Sequence, residues 1–253
     1  MKYSVVIPAH NEGDHLANMV DSFIAHLPQD VSVVLGEVIV VENGSTDRTE
    51  EVAQDLERRY PGLVRALSIP KGSYGEAIRF GIQRAVGTHV SVLECDVLDA
   101  RFVGESIRLF QAQRADFVVA SKQHPRSVDR RPRKRRLMTR GFNFLLNRMI
   151  GYPGTDTHGL KSIEGDLARR LCSLAVCGDE VLQTELVLLA WRLGHRVVEV
   201  PIEIAEVRAT PVRILRRVPK VLPIVWQLRR SLSRFPPRPA MPGEESGGGV
   251  IRT

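Results

Sequence analysis

The sequence has few cysteines and no long apolar run. These two features argue against a disulfide-rich or zinc-binding protein and against a membrane-spanning helix. Its three cysteines, Cys95, Cys172 and Cys177, are odd in number and form no Cys-x-x-Cys pair. Neither a disulfide framework nor a zinc site is therefore indicated. No apolar run approaches the roughly 20 residues that span a bilayer. Residues 4–8 form an apolar run that is too short, and too early broken by proline, for a signal peptide. We expect a protein of the reducing cytoplasm.

The composition is that of a globular protein. The chain has 253 residues, of which 43% are hydrophobic and 26% charged, enough for one sizeable α/β domain. We predict a domain over residues 1–208, a basic amphipathic helical region over 209–234 and a disordered, Pro- and Gly-rich tail over 235–253. The net charge of +7 is concentrated at 126–140 and 208–238. Such basic clusters predict anionic partners: phosphates, lipid head groups or nucleic acid.

Short apolar runs alternate with helical apolar patterns through the first hundred residues. Strands are predicted at 3–7, 38–41, 63–69 and 88–93. Asn11 is expected to cap the first helix, and Ser45 or Thr46 the second. The alternation predicts an α/β fold with a mostly parallel, Rossmann-like sheet, helices on both faces and ligands at the carboxyl ends of the strands.

Polar residues follow each predicted strand at its carboxyl end. They comprise residues 8–12, 42–47, 71–74 and 94–96. Turn chemistry explains any one of these loops, but not all four together. Helix N-termini with free N–H groups, beside small residues such as Gly44 and Ser45, suit an anionic ligand. Glu94 and Asp96 should point the same way at a strand end, because side chains alternate along a strand. Two carboxylates so placed predict a site for Mg²⁺ or Mn²⁺ with a diphosphate, and the alternative for this pair alone is a strand that runs into a polar turn.

These motifs resemble, in order and spacing, those of the inverting family 2 glycosyltransferases, which have the GT-A fold. The matching segments are 6–12, 40–47, 71–72 and 94–96. Further segments at 156–161, 185–186 and 194–202 resemble the branch of dolichyl- and polyprenyl-phosphate mannose and glucose synthases. The resemblance covers roughly residues 3–205. It implies inverting transfer of a sugar from a UDP- or GDP-linked donor, with a divalent metal, to a polyprenyl phosphate.

The resemblance also implies site residues. Asp96 would hold the metal with Glu94, which would face the ribose or a metal-bound water. Glu42 would replace an aspartate that contacts the base. Positions 42 and 94 are aspartate in the family, and position 183, here Gln183, is usually acidic. The implied nucleotide-sugar-binding residues are Pro8, Ala9, Asn11, Glu12, Glu42, Asn43, Gly44, Asp47, Lys71 and Glu94.

The chemical nature of the acceptor, a hydroxyl or a phosphate, decides which further residues the reaction needs. A hydroxyl acceptor needs a general base, for which Asp156 or Glu185 is the candidate beside catalytic Asp96. A phosphate acceptor is already ionised and needs cations, which Arg135, Arg136 and Arg140 could supply. The basic run 130–136 could equally be a solvated loop. Three functions stay open: this lipid-phosphate transferase, a transferase with a non-lipid hydroxyl acceptor, and a non-catalytic nucleotide-sugar-binding relative.

Two other functions fit the sequence less well. A sugar nucleotidylyltransferase needs a Gly-rich loop with Arg and Lys after the first strand, and residues 8–12 have none. Nucleic-acid binding is not expected, because the basic clusters lack interleaved aromatics.

Bulky apolar residues and arginines alternate over residues 211–234. We predict two short helices divided near Pro219 and Pro223, with Val218, Val221, Leu222 and Val225 on an apolar face. This face would enter an anionic membrane surface and hold the protein at the cytoplasmic side. The alternative is a helical hairpin that packs on the sheet with its arginines in water.

Overall fold

A computed structural model describes residues 1–70, 72–204, 214–238 and 250–252. The strands in these ranges are β1 (Tyr3–Ala9), β2 (Leu35–Asn43), β3 (Val64–Ile69), β4 (His89–Val92), β5 (Phe117–Ser121), β6 (Val128–Asp129), β7 (Lys161–Glu164), β8 (Val197–Pro201), β9 (Glu203–Ile204) and β10 (Val250–Arg252). The helices are α1 (Leu16–Ala25), α2 (Gln29–Val34), α3 (Thr49–Arg59), α4 (Tyr74–Arg84), α5 (Ala100–Gln111), α6 (Arg133–Ile150), α7 (Gly165–Leu174), α8 (Asp179–Arg192) and α9 (Ile214–Leu232).

The chain divides into two compact units. The first comprises Met1–Arg114, Leu160–Leu174 and Gly178–Glu180, and the second comprises the remaining described residues. In the first unit the strand order is β7-β4-β1-β2-β3. All its pairings are parallel except that of β4 with β7. β1 is buried along its whole length, as a central strand of a parallel sheet should be.

Helix α4 packs closely on β1 and β2. The approach is possible because position 81 is glycine: a Cβ there would lie 2.4 Å from a methyl carbon of Val6 and 3.1 Å from one of Val41. The carboxyl ends of β1 and β2 are thereby fixed beside each other, and their loops belong to the candidate site.

In the second unit, β5 and β10 pair with β8 in parallel, and β6 pairs with β9. Helix α6 packs against α9. Gly159 lies against β5 so closely that a Cβ would be 1.7 Å from the carbonyl oxygen of Ala120. Only glycine fits there, which fixes the chain just after Asp156. The predicted α/β class with mostly parallel strands is confirmed.

The predicted helix caps differ from those observed. α1 begins at Leu16, not after Asn11, which has a left-handed backbone with φ 54°. α3 begins at Thr49, and the cap is neither Ser45 nor Thr46. The Asp47 carboxylate accepts the Thr49 N–H at 3.0 Å instead. The short polar side chains were identified correctly as loop residues, but their local hydrogen bonds connect the loops rather than start the helices.

The C-terminal prediction of two short helices is wrong, because α9 is one helix that contains both prolines. Pro223 lies on its exposed side, and burial of the opposite face outweighs the hydrogen bonds lost to proline. The free tail predicted for 235–253 is wrong at residues 250–252, where Val250 and Ile251 pair with β8. Residues 209–213 and 239–249 lie outside the described residues.

Candidate active site

The loops that follow β1 and β2 are connected by hydrogen bonds. The Asn11 side-chain oxygen accepts the Thr46 N–H at 2.9 Å, and the Asn11 N–H donates to the Ser45 hydroxyl at 3.1 Å. The Glu12 N–H donates to the Thr49 hydroxyl at 2.7 Å. The predicted convergence of these residues at one edge of the sheet is therefore observed within the first unit.

A buried hydrogen bond continues this connection beneath the loops. Pro8 and Ala9 are the last residues of β1, and the Ala9 carbonyl accepts a hydrogen bond from the Asn43 side-chain amide at 3.0 Å. Gly44 has a φ of 67°, a left-handed conformation that glycine adopts without strain. The β2 loop can thus turn sharply beside the end of β1.

Carboxylate side chains accept hydrogen bonds from backbone N–H groups that we expected to be free to bind an anionic ligand. Glu42 accepts the Ser45 N–H at 2.5 Å, and Asp47 accepts the Gly13 and Thr49 N–H groups, both at 3.0 Å. The hydrogen bond from the Thr49 hydroxyl, together with those N–H groups, lowers the pKa of Asp47. For these N–H groups the prediction is wrong, since their dipoles are already neutralised by fixed negative charge.

Glu42 is enclosed rather than open to a nucleobase. Its side chain is 3% exposed, and its second oxygen accepts the Ser68 hydroxyl at 2.7 Å. The glutamate side chain is long enough for its carboxylate to turn back to Ser45 and Ser68. The structure places Glu42 in the predicted loop but in contact with its own strands, so it holds the loop in shape.

The loop after β3 closes on the other two. A Cβ on Gly72 would lie 3.4 Å from both the His10 ring and the Asn43 carbonyl oxygen. The His10 ring lies 2.9 Å from that carbonyl through Nδ1 and is exposed. We had not predicted a role for His10, although its place in the polar run after β1 was the available signal. Lys71 lies outside the described residues.

A cavity of about 330 Å³ opens beside this third loop. It is large enough for a nucleoside-sized group. Asp179 is one of its lining residues; it accepts the Ser73 hydroxyl at 2.7 Å, and its backbone leaves no room for a Cβ on Gly75. The lining residues are Ile69, Pro70, Gly72, Ser73, Glu76, Phe80 and Asp179.

Glu94 and Asp96 lie in a tight turn, not on a strand. β4 ends at Val92, and the Val97 N–H donates to the Glu94 carbonyl at 2.8 Å. The argument from strand alternation is therefore wrong here, because the chain reverses before Asp96. The turn leaves Asp96 exposed at its tip while Glu94 is half-buried. Among the described residues, no hydrogen bond or ion pair is recorded for the Asp96 carboxylate.

This turn fits a divalent metal ion whose coordination shell is completed by oxygens of a bound substrate. In the described part of the chain, no three acidic, histidine or cysteine side chains cluster as a metal cage. Asp96 and Glu94 offer hard oxygen ligands, and Mg²⁺ is commonly bound by one or two carboxylates with phosphate and water completing the shell. That Asp96 and Glu94 hold Mg²⁺ or Mn²⁺ on a diphosphate stays a prediction.

Asp156, a candidate general base, is a buried ion-pair partner in the second unit. Its side chain is 1% exposed and lies 3.5 Å from the Lys122 ammonium. Its oxygens accept the N–H groups of Lys122 at 3.0 Å and His158 at 2.9 Å. Burial alone would raise the pKa of Asp156, but Lys122 and these N–H groups hold it below its ordinary value. A carboxylate so bound is poorly placed to take a proton.

Glu185, the other candidate base, is also enclosed in the second unit. It is fully buried and accepts the N–H groups of Val176 at 3.2 Å and Cys177 at 2.7 Å. It also accepts the hydroxyl of Ser231 on α9. Burial, and then the Glu185 charge, raise the pKa of Cys177 to about 12. Glu185 therefore fixes the 175–177 segment and α9, which is a structural task.

Two residues beside Asp156 had no role in the sequence prediction. Lys122 directly follows β5, and its place at a strand's carboxyl end was the signal. Glu199 lies in the apolar strand β8 and is fully buried. It accepts the Thr155 N–H at 2.5 Å and the Asp156 N–H at 3.2 Å. Glu199 therefore also supports the turn that contains Asp156. The sequence signal for it was a single acidic residue within an otherwise apolar strand.

The basic run is helical from Arg133 onward rather than a solvated loop throughout. Arg131 is paired with Asp129 at 2.8 Å, and α6 begins at Arg133. Arg136 and Arg140 are four residues apart and share one side of α6. Arg135 is five residues from Arg140, so it points about 140° away at 100° per residue. The three predicted phosphate ligands therefore do not share one helix side.

Comparison with known proteins agrees with the predicted family. The model of "Glycosyl transferase family 2" matches residues 4–163. Glycosyltransferase AglD of Haloferax volcanii is 26% identical over 234 residues, which are 90% of this chain and 38% of that protein. Dolichyl-phosphate beta-glucosyltransferase ALG5A of Trichomonas vaginalis is 24% identical over 227 residues, 83% of this chain and 68% of that protein. The chain thus spans well under half of the first relative.

Solved structures with the same fold carry the ligands of nucleotide-sugar chemistry. Glucosyl-3-phosphoglycerate synthase from Mycobacterium tuberculosis, in complex with Mn²⁺, UDP and phosphoglyceric acid, has a TM-score of 0.69 at 20% identity, covering 90% of this chain and 78% of that one. The same enzyme with Mg²⁺ and UDP has a TM-score of 0.66 at 20% identity, covering 98% and 88%. The GT-A fold is confirmed, and the chain belongs to glycosyl transferase family 2.

Proposed function

We propose that this protein transfers a sugar from a nucleotide-sugar donor, UDP- or GDP-linked, to a polyprenyl phosphate with inversion at the anomeric carbon. The observation that carries the choice of acceptor is the state of the two candidate bases. Asp156 and Glu185 are buried, and their carboxylates are held by N–H groups. A hydroxyl acceptor needs a base within reach, whereas an ionised phosphate does not.

Residues of the first unit would bind the nucleotide-sugar donor. The connected loops after β1, β2 and β3 would hold the nucleoside, with His10 exposed beside the third loop. Asp96 and Glu94 would hold Mg²⁺ or Mn²⁺ on the diphosphate, and the metal would neutralise charge that develops on the leaving nucleotide. The UDP-bound neighbours support UDP as the nucleotide.

The acceptor side rests on the cations of α6. An acceptor phosphate oxygen would form the new bond to the anomeric carbon as the bond from that carbon to the β-phosphate oxygen breaks. No proton has to be removed when the acceptor is ionised. Arg136 and Arg140 would hold the phosphate, since they share one side of α6. The dolichyl-phosphate relatives support this class of acceptor.

Where the protein acts follows from this acceptor. None of the helices in the described ranges has the length and apolarity of a bilayer-spanning helix. Peripheral attachment at the cytoplasmic face would bring the protein to a lipid-bound phosphate. Nucleic acid is not a proposed partner.

The acceptor assignment predicts a selective change in kinetics. Replacing Arg136 and Arg140 with glutamine should raise the acceptor KM at least about tenfold, because each lost charge-assisted hydrogen bond contributes on the order of 1.5–3 kcal/mol. The donor KM should change less than twofold. The assay uses a short-chain polyprenyl phosphate in detergent, so that membrane attachment plays no part.

The matched control is Arg133→Gln with Arg148→Gln, which removes the same charge from the same helix. Both side chains are exposed, and this variant should keep the acceptor KM of the unmodified protein. If the acceptor KM rises equally in both variants, the net charge of α6 affects acceptor binding and the two positions have no specific role. If it rises in neither, α6 is not part of the acceptor site.

A further inference from the structure

One side of α6 carries a row of five exposed residues. Only one of them, Arg140, has a role in the proposed sugar transfer. The row is Arg133, Leu137, Arg140, Phe144 and Arg148, and every member is exposed. The spacings of four, three, four and four residues keep all five within an arc of about 80°. Basic and apolar side chains alternate along it over about 22 Å. We call it the α6 stripe.

The apolar members of the α6 stripe lie in solvent. Leu137 is 70% exposed and Phe144 is 67% exposed. The helix has an inward side, because Asn143 and Leu146 are buried, so the exposure is not that of a detached segment. Large apolar side chains exposed in a row indicate an interaction surface.

The arginines of the α6 stripe lack the carboxylate neighbours that other exposed arginines have. No hydrogen bond or ion pair to a described residue is recorded for the side chains of Arg133, Arg140 and Arg148. By contrast, Arg108 pairs with Glu105 at 3.0 Å and Arg169 pairs with Asp166 at 2.8 Å. α6 contains no acidic residue at all. The stripe is therefore complementary to an anionic surface.

Helix α9, which packs against α6, presents a second surface of the same kind. The apolar face that we predicted to enter a membrane is instead buried at Val225, which is 0% exposed. That prediction is wrong at this residue, because the face covers the protein's own core. Leu222 and Trp226 are 60% and 61% exposed. The Arg230 guanidinium lies 5.6 Å from the Trp226 ring centroid.

We propose that the α6 stripe docks on an anionic bilayer, with Leu222 and Trp226 of α9 adding to the contact. Leu137 and Phe144 would enter the head-group region, while Arg133 and Arg148 would meet anionic head groups and Arg140 the acceptor phosphate. Tryptophan is favoured at such interfaces. This inference deepens the proposed function, because the bilayer would hold the polyprenyl phosphate acceptor. Nucleic acid fits less well, since phosphates give Leu137 no partner.

The test measures binding of the full chain to vesicles. The unmodified protein should bind vesicles with about a third anionic lipid, bind neutral vesicles weakly, and dissociate in 1 M salt. Leu137→Gln with Phe144→Gln should lower the vesicle partition coefficient at least about tenfold, since two buried apolar side chains are lost. Its thermal unfolding should match that of the unmodified protein, because both positions are exposed.

The matched control is Val33→Gln with Val86→Gln, which changes two apolar residues that are 79% and 62% exposed in the first unit. It should bind vesicles like the unmodified protein. Undiminished binding by the Leu137 and Phe144 variant would overturn the proposal. So would equal binding to neutral vesicles, or a higher affinity for single-stranded RNA than for vesicles at the same salt.

Sugar transfer to a short-chain acceptor in detergent separates this inference from the proposed function. The Leu137 and Phe144 variant should keep that activity while it loses vesicle binding. If the unmodified protein binds vesicles but transfers no sugar to a lipid phosphate, the acceptor assignment fails and the docking surface stands.

Discussion

Asp96→Asn should lower kcat/KM for sugar transfer by about a hundredfold to a thousandfold and abolish its dependence on Mn²⁺. The metal would neutralise the leaving diphosphate, and a single contact made to developing charge supplies on the order of 3–4 kcal/mol. Asp96 stands exposed at the tip of the 94–97 turn, so its replacement by an isosteric amide should leave the fold unchanged. The measurement is a Mn²⁺ titration of initial rate, with thermal unfolding of the same samples.

Asp55→Asn is the control for this loss of charge. Asp55 is exposed, pairs with Arg58 on the surface of α3, and is not a predicted site residue. Its replacement should leave both rate and metal dependence unchanged. Asp96→Asn with full Mn²⁺-dependent activity would show that the metal binds elsewhere.

Asp156→Asn should destabilise the protein by about 3 kcal/mol, which is typical when one partner of a buried ion pair is removed. Lys122 would be left with its charge only 9% exposed and no carboxylate beside it. The N–H groups of Lys122 and His158 would also compete for one remaining oxygen. The measurement is denaturant unfolding of both proteins at several pH values.

The difference in stability should depend on pH with a defined sign. The folded pKa of Asp156 lies below its unfolded value of about 3.9, so its stabilisation is present above that value and is lost as pH falls through the folded pKa. The two proteins should therefore differ most near pH 7 and converge in acid. Asp55→Asn should cost less than about 0.5 kcal/mol at any pH. An Asp156 variant that is stable but inactive would restore its role as a base.

The fold and the loop positions were predictable because they depend on local patterns. Apolar runs of four to seven residues between helical patterns located β1, β2 and β4. Their polar ends located the loops at Asn11 and Asp47, because parallel strands bring their carboxyl ends to one edge. Gly44 lies in one of these loops, where a left-handed turn favours glycine.

The partners of the carboxylates were not predictable from the sequence. From the sequence, Glu42, Asp156 and Glu185 each look like site acids, yet each is buried and has at least one hydrogen-bond donor from outside its own motif. Ser68 comes from the neighbouring strand and Ser231 from a distant helix. A motif gives the type of residue at a strand end but not the hydrogen bonds that occupy it.

The same limit explains the error at α9. Helical periodicity identified the apolar residues around Val225 but could not tell whether lipid or the protein's own core covers them. The α6 stripe escaped notice because basic residues dominate the start of that helix. Only the observed exposure of Leu137 and Phe144 distinguishes it from a solvated basic helix.

Transfer of labelled sugar to a panel of acceptors tests the central claim most directly. The full chain, supplied with UDP-glucose, other UDP- and GDP-linked sugars, and Mn²⁺, is offered polyprenyl phosphate, the matching polyprenol and phosphoglyceric acid in detergent. We expect label in polyprenyl phosphate alone, with release of one nucleoside diphosphate per product and none when Mn²⁺ is chelated. Label in polyprenol or in phosphoglyceric acid, with polyprenyl phosphate inert, would contradict the account.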